Sequence, residues 1–334
     1  MDLLRSDPAA GRVHGGPDRH GPAAWDFSTC ANAAGPCPAA VAALQRVDPT
    51  RYPDPGYHAL RERLAAWHRV EPARVVLAAS ASEFIQRITA VGARLSPGAV
   101  ALPAHAFGDY AAAARAAGRA VTVGADPAAT LRWIGEPSSP LGQDAPPPRD
   151  LSRVPTVLDS VYAPLRLGGA SRWSTPDRHA AFVLHGPNKA LGLCGLRGAY
   201  ALAPEPEAVD WDVSAWTDAL AAAEPSWPLG AHAVAMIETW TEPATQRWLA
   251  GARLTLGGWL TELRAMLEDL GFEILPSAAN FLCVRPPPGA PDAAALRRHG
   301  VAVRDTTSFG LPGHWRLSAQ PSAAVAALRA ALRG

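Results

Sequence analysis

Lysine is almost absent from the sequence. Lys189 is the only lysine among 334 residues, so the other thirty positions in the Lys-plus-Arg count of 31 are arginine. A coding bias toward GC-rich codons replaces lysine by arginine wherever either cation serves. The one lysine that is left therefore indicates a position where an amine is needed and a guanidinium cannot substitute.

Cysteine is also scarce, and its spacing excludes two classes of protein. The four cysteines are Cys30, Cys37, Cys194 and Cys283, and no two of them form a C-x-x-C pair or a zinc-ligand spacing. A chain of this length without such pairs is neither a disulfide scaffold nor a zinc module. We expect reduced thiols in a cytoplasmic protein, with no metal site.

Charge imbalance and long apolar runs are missing as well. The net charge of +1 gives no broad electrostatic footprint for nucleic acid or a membrane surface. No apolar run reaches the roughly 18 residues of a membrane span, and residues 1–25 lack the apolar stretch of a signal peptide. We therefore expect no nucleic-acid partner and no membrane partner.

What is present is an alternation of short apolar runs with helical patterns. The runs are apolar on both faces and are flanked by Gly, Pro or Ser, which is typical of buried parallel strands. They cover residues 75–79, 99–103, 120–125, 131–135, 154–158, 181–184 and 198–203. Helical patterns cover residues 57–69, 81–93 and 108–117. This alternation predicts an α/β fold with helices on both faces of the sheet.

The pattern changes after about residue 205. A long helical region spans roughly 231–270 and is broken near Pro243, strand-like runs follow at 279–285, 300–304 and 314–318, and a last helix covers 322–333. This part predicts a smaller α+β domain. The N-terminal 35 residues have too little apolar content to fold alone, and we expect them to pack on that domain.

The position of Lys189 favours nucleophilic chemistry. It follows a predicted buried strand and precedes a glycine-rich turn, so desolvation is expected to disfavour its ammonium form. A surface-loop lysine is the ordinary alternative. An amine bonds to an aldehyde and a guanidinium does not, so the lone lysine indicates a pyridoxal 5'-phosphate site.

Such a site needs an acid against the pyridine nitrogen and a donor near the ring oxygen. Asp159 ends a predicted strand and Tyr162 follows three residues later. An ionised Asp159 would keep the ring nitrogen protonated, and Tyr162 could donate to the ring oxygen. An ordinary turn at a strand end is the competing interpretation.

The site also needs a phosphate cradle and a stacking ring. The segment "AASASEF" follows a strand and opens a helix, so backbone N–H groups of Ala81 and Ser82 can face a phosphate, next to Ser80. A simple N-cap is the alternative for these serines. Arg197 could bind the same phosphate, and either His105 or Phe107 could stack on the ring.

Taken in order, these segments resemble the fold-type-I class I/II aminotransferase family. The resemblance covers nearly the whole chain and implies a large domain with a mostly parallel seven-stranded sheet. The implied division is an N-terminal segment 1–35, a large cofactor-binding domain 36–215 and a small α+β domain 216–334. "RYPDPGYHALRERLA" resembles the segment whose tyrosine, here Tyr52, reaches the cofactor phosphate in the partner subunit, which implies a homodimer. Arg316 matches the arginine that holds the substrate α-carboxylate.

Within the family, "HGG" at residues 14–16 and the following "WDFSTCANAAGPCP" resemble the cobalamin-pathway threonine-phosphate decarboxylases. In that group the histidine, here His14, and an arginine, here Arg304, bind the substrate phosphate. Asn32 keeps the second asparagine of their substrate-binding segment, whereas Cys30 replaces the first. A mobile N-terminal arm is the alternative reading of His14.

Two positions depart from the family pattern. Ser139 in "EPSSPLG" stands where an asparagine usually bonds the ring oxygen. Gly186 in "GPNK" lacks the usual hydroxyl three residues before the lysine. Each lost hydrogen bond to a charged group would cost roughly 1.5–3 kcal/mol.

The resemblance implies three functional hypotheses. The first is a pyridoxal-phosphate-dependent lyase of the threonine-phosphate decarboxylase type in cobalamin biosynthesis. The second is an aminotransferase of the histidinol-phosphate type, and the third is a catalytically degenerate binding or regulatory subunit. The expected small-molecule partner is a phosphorylated amino acid or amino alcohol.

Overall fold

The computed structural model describes residues 13–333 and contains thirteen strands and eleven α-helices in that range. The strands are β1 (Trp25–Asp26), β2 (Val75–Ala78), β3 (Ala99–Leu102), β4 (Val121–Val123), β5 (Ala129–Gly135), β6 (Thr156–Asp159), β7 (Phe182–His185), β8 (Ala199–Leu202), β9 (Glu273–Ile274), β10 (Phe281–Arg285), β11 (Val301–Ala302), β12 (Arg304–Asp305) and β13 (Trp315–Ser318). The helices are α1 (Pro38–Gln45), α2 (His58–His68), α3 (Ala81–Leu95), α4 (Gly108–Ala116), α5 (Thr175–His179), α6 (Pro187–Ala190), α7 (Val213–Ala222), α8 (Ala231–Trp240), α9 (Pro243–Asp269), α10 (Ala293–Arg298) and α11 (Ser322–Arg333).

The seven strands predicted between residues 75 and 203 form one sheet. Its order is β2-β8-β7-β6-β5-β3-β4, and all neighbours are parallel except β8, which is antiparallel to both β2 and β7. The prediction of an α/β fold with a mostly parallel seven-stranded sheet is confirmed. The direction of β8 was not predicted, because a run that is apolar on both faces carries no information about strand direction.

Helices cover both faces of this sheet. Side chains of α3, α4 and α7 pack on one face in a cluster that includes Phe84, Ile88 and Trp216, and side chains of α2 and α8 pack on the other face. Helix α3 begins where Ser80 Oγ accepts from the Glu83 N–H (3.1 Å) while the Glu83 carboxylate accepts from the Ala79 N–H (3.1 Å). This reciprocal capping fixes the start of α3 at the carboxyl end of β2.

The C-terminal part is built on a four-stranded antiparallel sheet of order β12-β13-β10-β9. The break between α8 and α9 lies at Pro243, as predicted. Strand β1 pairs in parallel with β11, so residues 25–26 lie against this part of the chain. The division at residues 35 and 215 stays a prediction, and residues 1–12 of its first segment lie outside the described range.

None of the helices in residues 13–333 combines the length and the apolar composition that a membrane span requires.

Candidate active site

A cavity of about 360 Å³ lies between the large sheet and the C-terminal part. It lies at the carboxyl ends of the parallel strands, where Gly135 ends β5 and Asp159 ends β6. Open α/β sheets bind ligands at this edge. The predicted residues that line it are His14, Ser80, Ala81, Ser82, Phe107, Ser139, Asp159, Tyr162, Lys189, Arg197, Arg304 and Arg316.

Lys189 faces this cavity from a helix and not from a turn. It lies in the single-turn helix α6, directly after β7. Its Nζ lies 5.4 Å from the centroid of the Tyr162 ring. Burial lowers the pKa of Lys189, while the nearby Cys194 thiol and the Asp159 carboxylate oppose that shift. The sequence-based expectation of a desolvated amine therefore agrees with the surroundings of this lysine.

Asp159 has two donors in the chain and no cation beside it. The Tyr110 hydroxyl donates to Oδ2 (2.6 Å) and the Val161 N–H donates to Oδ1 (3.0 Å). Among residues 13–333, no basic side chain forms an ion pair with this carboxylate. Burial raises the pKa of Asp159, and the hydrogen bond from Tyr110 opposes the shift. A buried carboxylate of this kind calls for a cationic ligand atom.

Tyr110 is a site residue that the sequence analysis missed. Its ring stacks on Trp133, with centroids 4.4 Å apart, and this contact holds the hydroxyl toward Asp159. The pattern that could have identified it is its spacing, since it lies three residues after Phe107, one turn into α4. Cys194, Thr29 and Phe309 also line the cavity without having been predicted.

The N-terminus of α3 supplies free donors to the cavity. Within the described chain, no acceptor is recorded for the backbone N–H groups of Ala81 and Ser82. Arg197 lines the same cavity, and no carboxylate in residues 13–333 pairs with it. A helix N-terminus and an arginine together suit a phosphate group.

Two buried arginines face the cavity from the C-terminal sheet. Arg316 Nη1 donates to Ser139 Oγ (2.6 Å) and Nη2 donates to the Ser28 carbonyl (3.0 Å), whereas its buried Nε has no partner in the described chain. Arg304 lies over the Phe309 ring at 4.6 Å, and burial lowers its pKa to about 10. No carboxylate among residues 13–333 forms an ion pair with either guanidinium. Arg304 Nη1 donates to the Asp305 carbonyl, and its Nη2 donates to the Val13 carbonyl and to Ser308 Oγ (2.6 Å). Both guanidinium groups thus use some N–H groups within the chain, and their positive charges are not neutralised by a carboxylate of the described residues.

Residues 13–16 lie along the cavity as a strap. Gly15 packs so closely that a Cβ there would lie 2.3 Å from the Ser28 carbonyl oxygen, so only glycine fits. The Gly16 N–H donates to Ser28 Oγ (2.8 Å). These contacts place His14 beside Phe107, with ring centroids 5.8 Å apart, and its Nε2 4.0 Å from the Asp109 carboxylate.

Three of the residues considered for the site, Asn32, Tyr52 and His105, do not line the cavity. Asn32 is buried, and its side chain is used within the chain: Nδ2 donates to the Ala190 carbonyl (2.9 Å) and Oδ1 accepts from the Ala34 N–H (3.0 Å). The Asn32 side chain thus contacts α6 and does not face the cavity. Tyr52 is 78% exposed and lies outside its own chain's cavity.

The glycine before the lysine has a local explanation. A Cβ at Gly186 would lie 3.3 Å from Val161 Cγ2, which is closer than ordinary contact. Val161 therefore lies on the side of the backbone where a larger residue would project, and it would have to shift by a few tenths of an ångström to admit one.

These groups fit pyridoxal 5'-phosphate. Lys189 offers a buried amine, Asp159 offers a carboxylate that lacks a cation, and Ala81 and Ser82 offer unpaired N–H donors. Phe107 lies at the cavity wall, whereas His105 does not line it. Ser139, predicted to bond the ring oxygen, instead accepts from Arg316.

Two partly buried histidines pack against each other, His68 at the end of α2 and His185 at the end of β7. His185 ends β7, its ring lies 4.8 Å from that of His68, and its Nε2 has no partner in the described chain. His68 bonds the Tyr200 hydroxyl (2.9 Å), and burial lowers its pKa to about 4. Burial, with the charges of His68 and Arg178, also lowers the pKa of His185 well below its ordinary value.

Acid is therefore expected to destabilise the fold. The unfolded chain takes up protons at His68 near pH 6.5 and the folded chain only near pH 4, so stability falls as the pH drops through that window. The loss from His68 is roughly 3 kcal/mol. Urea midpoints measured between pH 4 and 7 check this, and His68→Gln should flatten the dependence. An unchanged slope in His68→Gln would contradict it.

Comparison with known proteins places this geometry in a family. The model for "Aminotransferase class I and II" matches residues 25–333. A curated relative from Thiobacillus denitrificans, named histidinol-phosphate aminotransferase 1, is 30% identical over 324 residues, covering 86% of this chain and 79% of the relative. Histidinol-phosphate aminotransferase 2 of Pseudomonas fluorescens is 29% identical, covering 86% and 82%.

Solved structures share the fold. Histidinol-phosphate aminotransferase from Sinorhizobium meliloti, determined in complex with pyridoxal-5'-phosphate, superposes with a TM-score of 0.77 at 20% identity, covering 99% of this chain and 97% of that one. L-threonine-O-3-phosphate decarboxylase from Porphyromonas gingivalis superposes with a TM-score of 0.67 at 20% identity, covering 88% and 91%.

Proposed function

Because the chain belongs to the class I and II aminotransferase family, and is therefore an enzyme that uses pyridoxal 5'-phosphate, we propose that it transfers the amino group of a phosphorylated amino compound of the histidinol-phosphate type. The observation that carries this proposal is the match along most of the chain to relatives of that name, at 28–30% identity. The predictions of the family, the enzyme class and the cofactor are confirmed.

The decarboxylase hypothesis, which was the first choice from the sequence, is less well supported than its alternative. The threonine-phosphate decarboxylase is a structural neighbour at 20% identity, a level that shows the fold alone. The "HGG" segment that suggested it has a packing role, since Gly15 is required by its contact with Ser28. The degenerate-subunit hypothesis is disfavoured, because the chain belongs to a family of enzymes and Lys189, Asp159 and Arg197 all line the cavity.

The cofactor would be held at both ends by this chain. Lys189 Nζ would bind its aldehyde group, and the Ala81 and Ser82 N–H groups with Arg197 would bind its phosphate. The Asp159 carboxylate would keep its ring nitrogen protonated. Tyr110 supports the carboxylate through its hydrogen bond of 2.6 Å.

When bound, pyridoxal phosphate supplies an electron sink that stabilises negative charge at the substrate carbon. The part of this chain in the reaction is to move one proton. Lys189 Nζ would act as the general base that takes the proton from that carbon and holds it for return later in the reaction. Burial lowers the pKa of Lys189, which keeps a neutral amine available for this step.

The substrate's anionic group would bind between the two arginines of the C-terminal sheet. Arg316 and Arg304 are buried, face the cavity and have no carboxylate partner among residues 13–333. His14 lies across the cavity at its mouth, 53% exposed, and can add a third donor. A phosphate ester, and the carboxylate of an oxo-acid co-substrate, suit such a set.

We further propose a homodimer in which Tyr52 reaches the site of the partner, and a large domain 36–215 with a small domain 216–334. The exposed position of Tyr52, outside its own cavity, supports the first of these.

The test is a pair of incubations with the purified protein. With histidinol phosphate and 2-oxoglutarate we expect glutamate to form in proportion to substrate consumed, and with threonine phosphate alone we expect no carbon dioxide. Release of carbon dioxide without an oxo acid would reject the aminotransferase proposal in favour of the decarboxylase. Histidinol without its phosphate is the matched control, and we expect it to raise KM by roughly 100-fold because the contacts to the arginines are lost.

A further inference from the structure

An exposed pair of stacked aromatic rings lies outside the cavity. Tyr52 is 78% exposed and Trp227 is 40% exposed, yet their ring centroids are 4.4 Å apart at an interplanar angle of 25°. Exposed aromatic pairs are unusual on a free surface and are common at the centres of protein interfaces.

The loops that carry the two rings are fastened to each other. Trp227 Nε1 donates to the Pro53 carbonyl (3.0 Å). The buried Tyr57 hydroxyl donates to the Leu229 carbonyl (2.8 Å) and accepts from the Leu229 N–H (3.2 Å). These contacts tie residues 53–57 to residues 227–229 on both sides of the stacked rings.

The backbone at this place is strained, and the loop is rigid. The backbone φ is +52° at Trp227 and +50° at Tyr57. Residues other than glycine and asparagine rarely adopt this left-handed region. The Asp54 carboxylate accepts from the N–H groups of Gly56 (3.0 Å) and His58 (2.8 Å), which lowers its pKa to about 2. Strain that the surroundings maintain in this way marks positions where geometry matters for function.

The orientation of the pair has no use within its own chain. In residues 13–333 the Tyr52 hydroxyl has no hydrogen-bond partner, and Tyr52 does not line its own cavity. The unpaired N–H groups at the start of α3 mark the anion-binding end of that cavity, which a phenolic hydroxyl from outside can complete. The occupant that matches this surface is a second copy of the chain.

We infer that Trp227 is a positioning residue, which holds Tyr52 in the orientation that enters the cavity of a second copy. The inference rests on the proposed function and adds a specific residue to it. Trp227 acts through Tyr52 and touches no cofactor of its own chain. Its effect must therefore appear in the site of the partner subunit.

The first test removes the ring. Trp227→Gly deletes the stacking and the Nε1 hydrogen bond to Pro53 but relieves the positive φ, and because these effects oppose each other we expect the apoprotein Tm to change little. We expect its Kd for pyridoxal 5'-phosphate to rise roughly three- to tenfold. Trp227→Phe keeps the stacking and should bind within about twofold of the wild type. Tyr52→Phe should weaken binding at least as much as Trp227→Gly.

A lower Tm with an unchanged Kd in Trp227→Gly would show a merely structural tryptophan and overturn the inference. An unchanged Kd in Tyr52→Phe would overturn it as well. Failure of the proposed function looks different, because then the wild type would still bind the cofactor at Lys189 but would form no glutamate from histidinol phosphate and 2-oxoglutarate.

The second test asks in which subunit Trp227 acts. Trp227→Gly subunits are mixed with Lys189→Ala subunits, and the cofactor trapped on Lys189 by borohydride is titrated. Each mixed dimer contains one site with Lys189 from one chain and Trp227 with Tyr52 from the other, so its affinity should return to the wild-type value. In the control, Trp227→Gly subunits are mixed with the double variant Lys189→Ala, Trp227→Gly, and the cofactor affinity should stay as weak as in Trp227→Gly alone. Persistent weak binding in the first mixture would refute action across the subunits.

Discussion

Replacing Lys189 by alanine is expected to abolish the visible absorption of the protein with pyridoxal phosphate and to lower kcat by a factor on the order of 10⁴. The side chain is that of the only lysine in the sequence, it lines the cavity, and its burial keeps the neutral form accessible. The measurement is an absorption spectrum before and after borohydride, together with single-turnover rates. In the wild type we expect borohydride to remove the band.

Lys189→Arg is the matched control for charge. It keeps a cation in the cavity but cannot bond to the aldehyde, so its spectrum should resemble that of the alanine variant. A band of full intensity in either variant would mean that another group holds the cofactor and would refute the assignment of Lys189.

The second large effect is expected for Asp159→Asn. The amide keeps the shape of the side chain but cannot hold a proton on the ring nitrogen, so kcat should fall on the order of 10³. Burial raises the pKa of Asp159. At pH values above that pKa, the ionised carboxylate therefore lowers the free energy of unfolding of the apoprotein. Removing the charge should therefore leave the apoprotein Tm unchanged or higher.

Tyr110→Phe provides a graded comparison with Asp159→Asn. It deletes one donor to the carboxylate and keeps the stacking on Trp133, so we expect a loss of roughly tenfold. Steady-state kinetics and thermal melts of both variants check this. Equal activity of Asp159→Asn and the wild type would show that the carboxylate does not face the ring nitrogen.

Much of the large sheet could be predicted, because buried parallel strands appear in the sequence as short apolar runs flanked by Gly, Pro or Ser. Each predicted strand from 75–79 to 198–203 coincides with a strand of the sheet. The reversed direction of β8 could not be predicted, since only pairing partners determine it. Helix α6 was also missed, because a single turn after a proline has the composition of a loop.

The positions of Lys189 and Asp159 at the cavity could be predicted, because each has a side chain whose chemistry alone suggests a role in the site. The site was not predictable where a contact over a long sequence separation decides the role. Asn32 was assigned to a substrate, but its amide is taken by Ala190, far away in the sequence. The partnership of Tyr110 with Asp159, across 49 positions, is of the same kind.

The burial of the single lysine at the cavity has a practical consequence for labelling. Reagents that acylate or crosslink lysine can modify no side chain on the outer surface, because the only lysine faces the cavity. Crosslinkers that need two lysine side chains on the outer surface would therefore not link two copies of the chain, whereas acylation of the lysine would report how open the cavity is. A lysine-specific protease can cut the unmodified chain only after Lys189, and covalent modification of this lysine blocks the cut, so the modified fraction stays at full length.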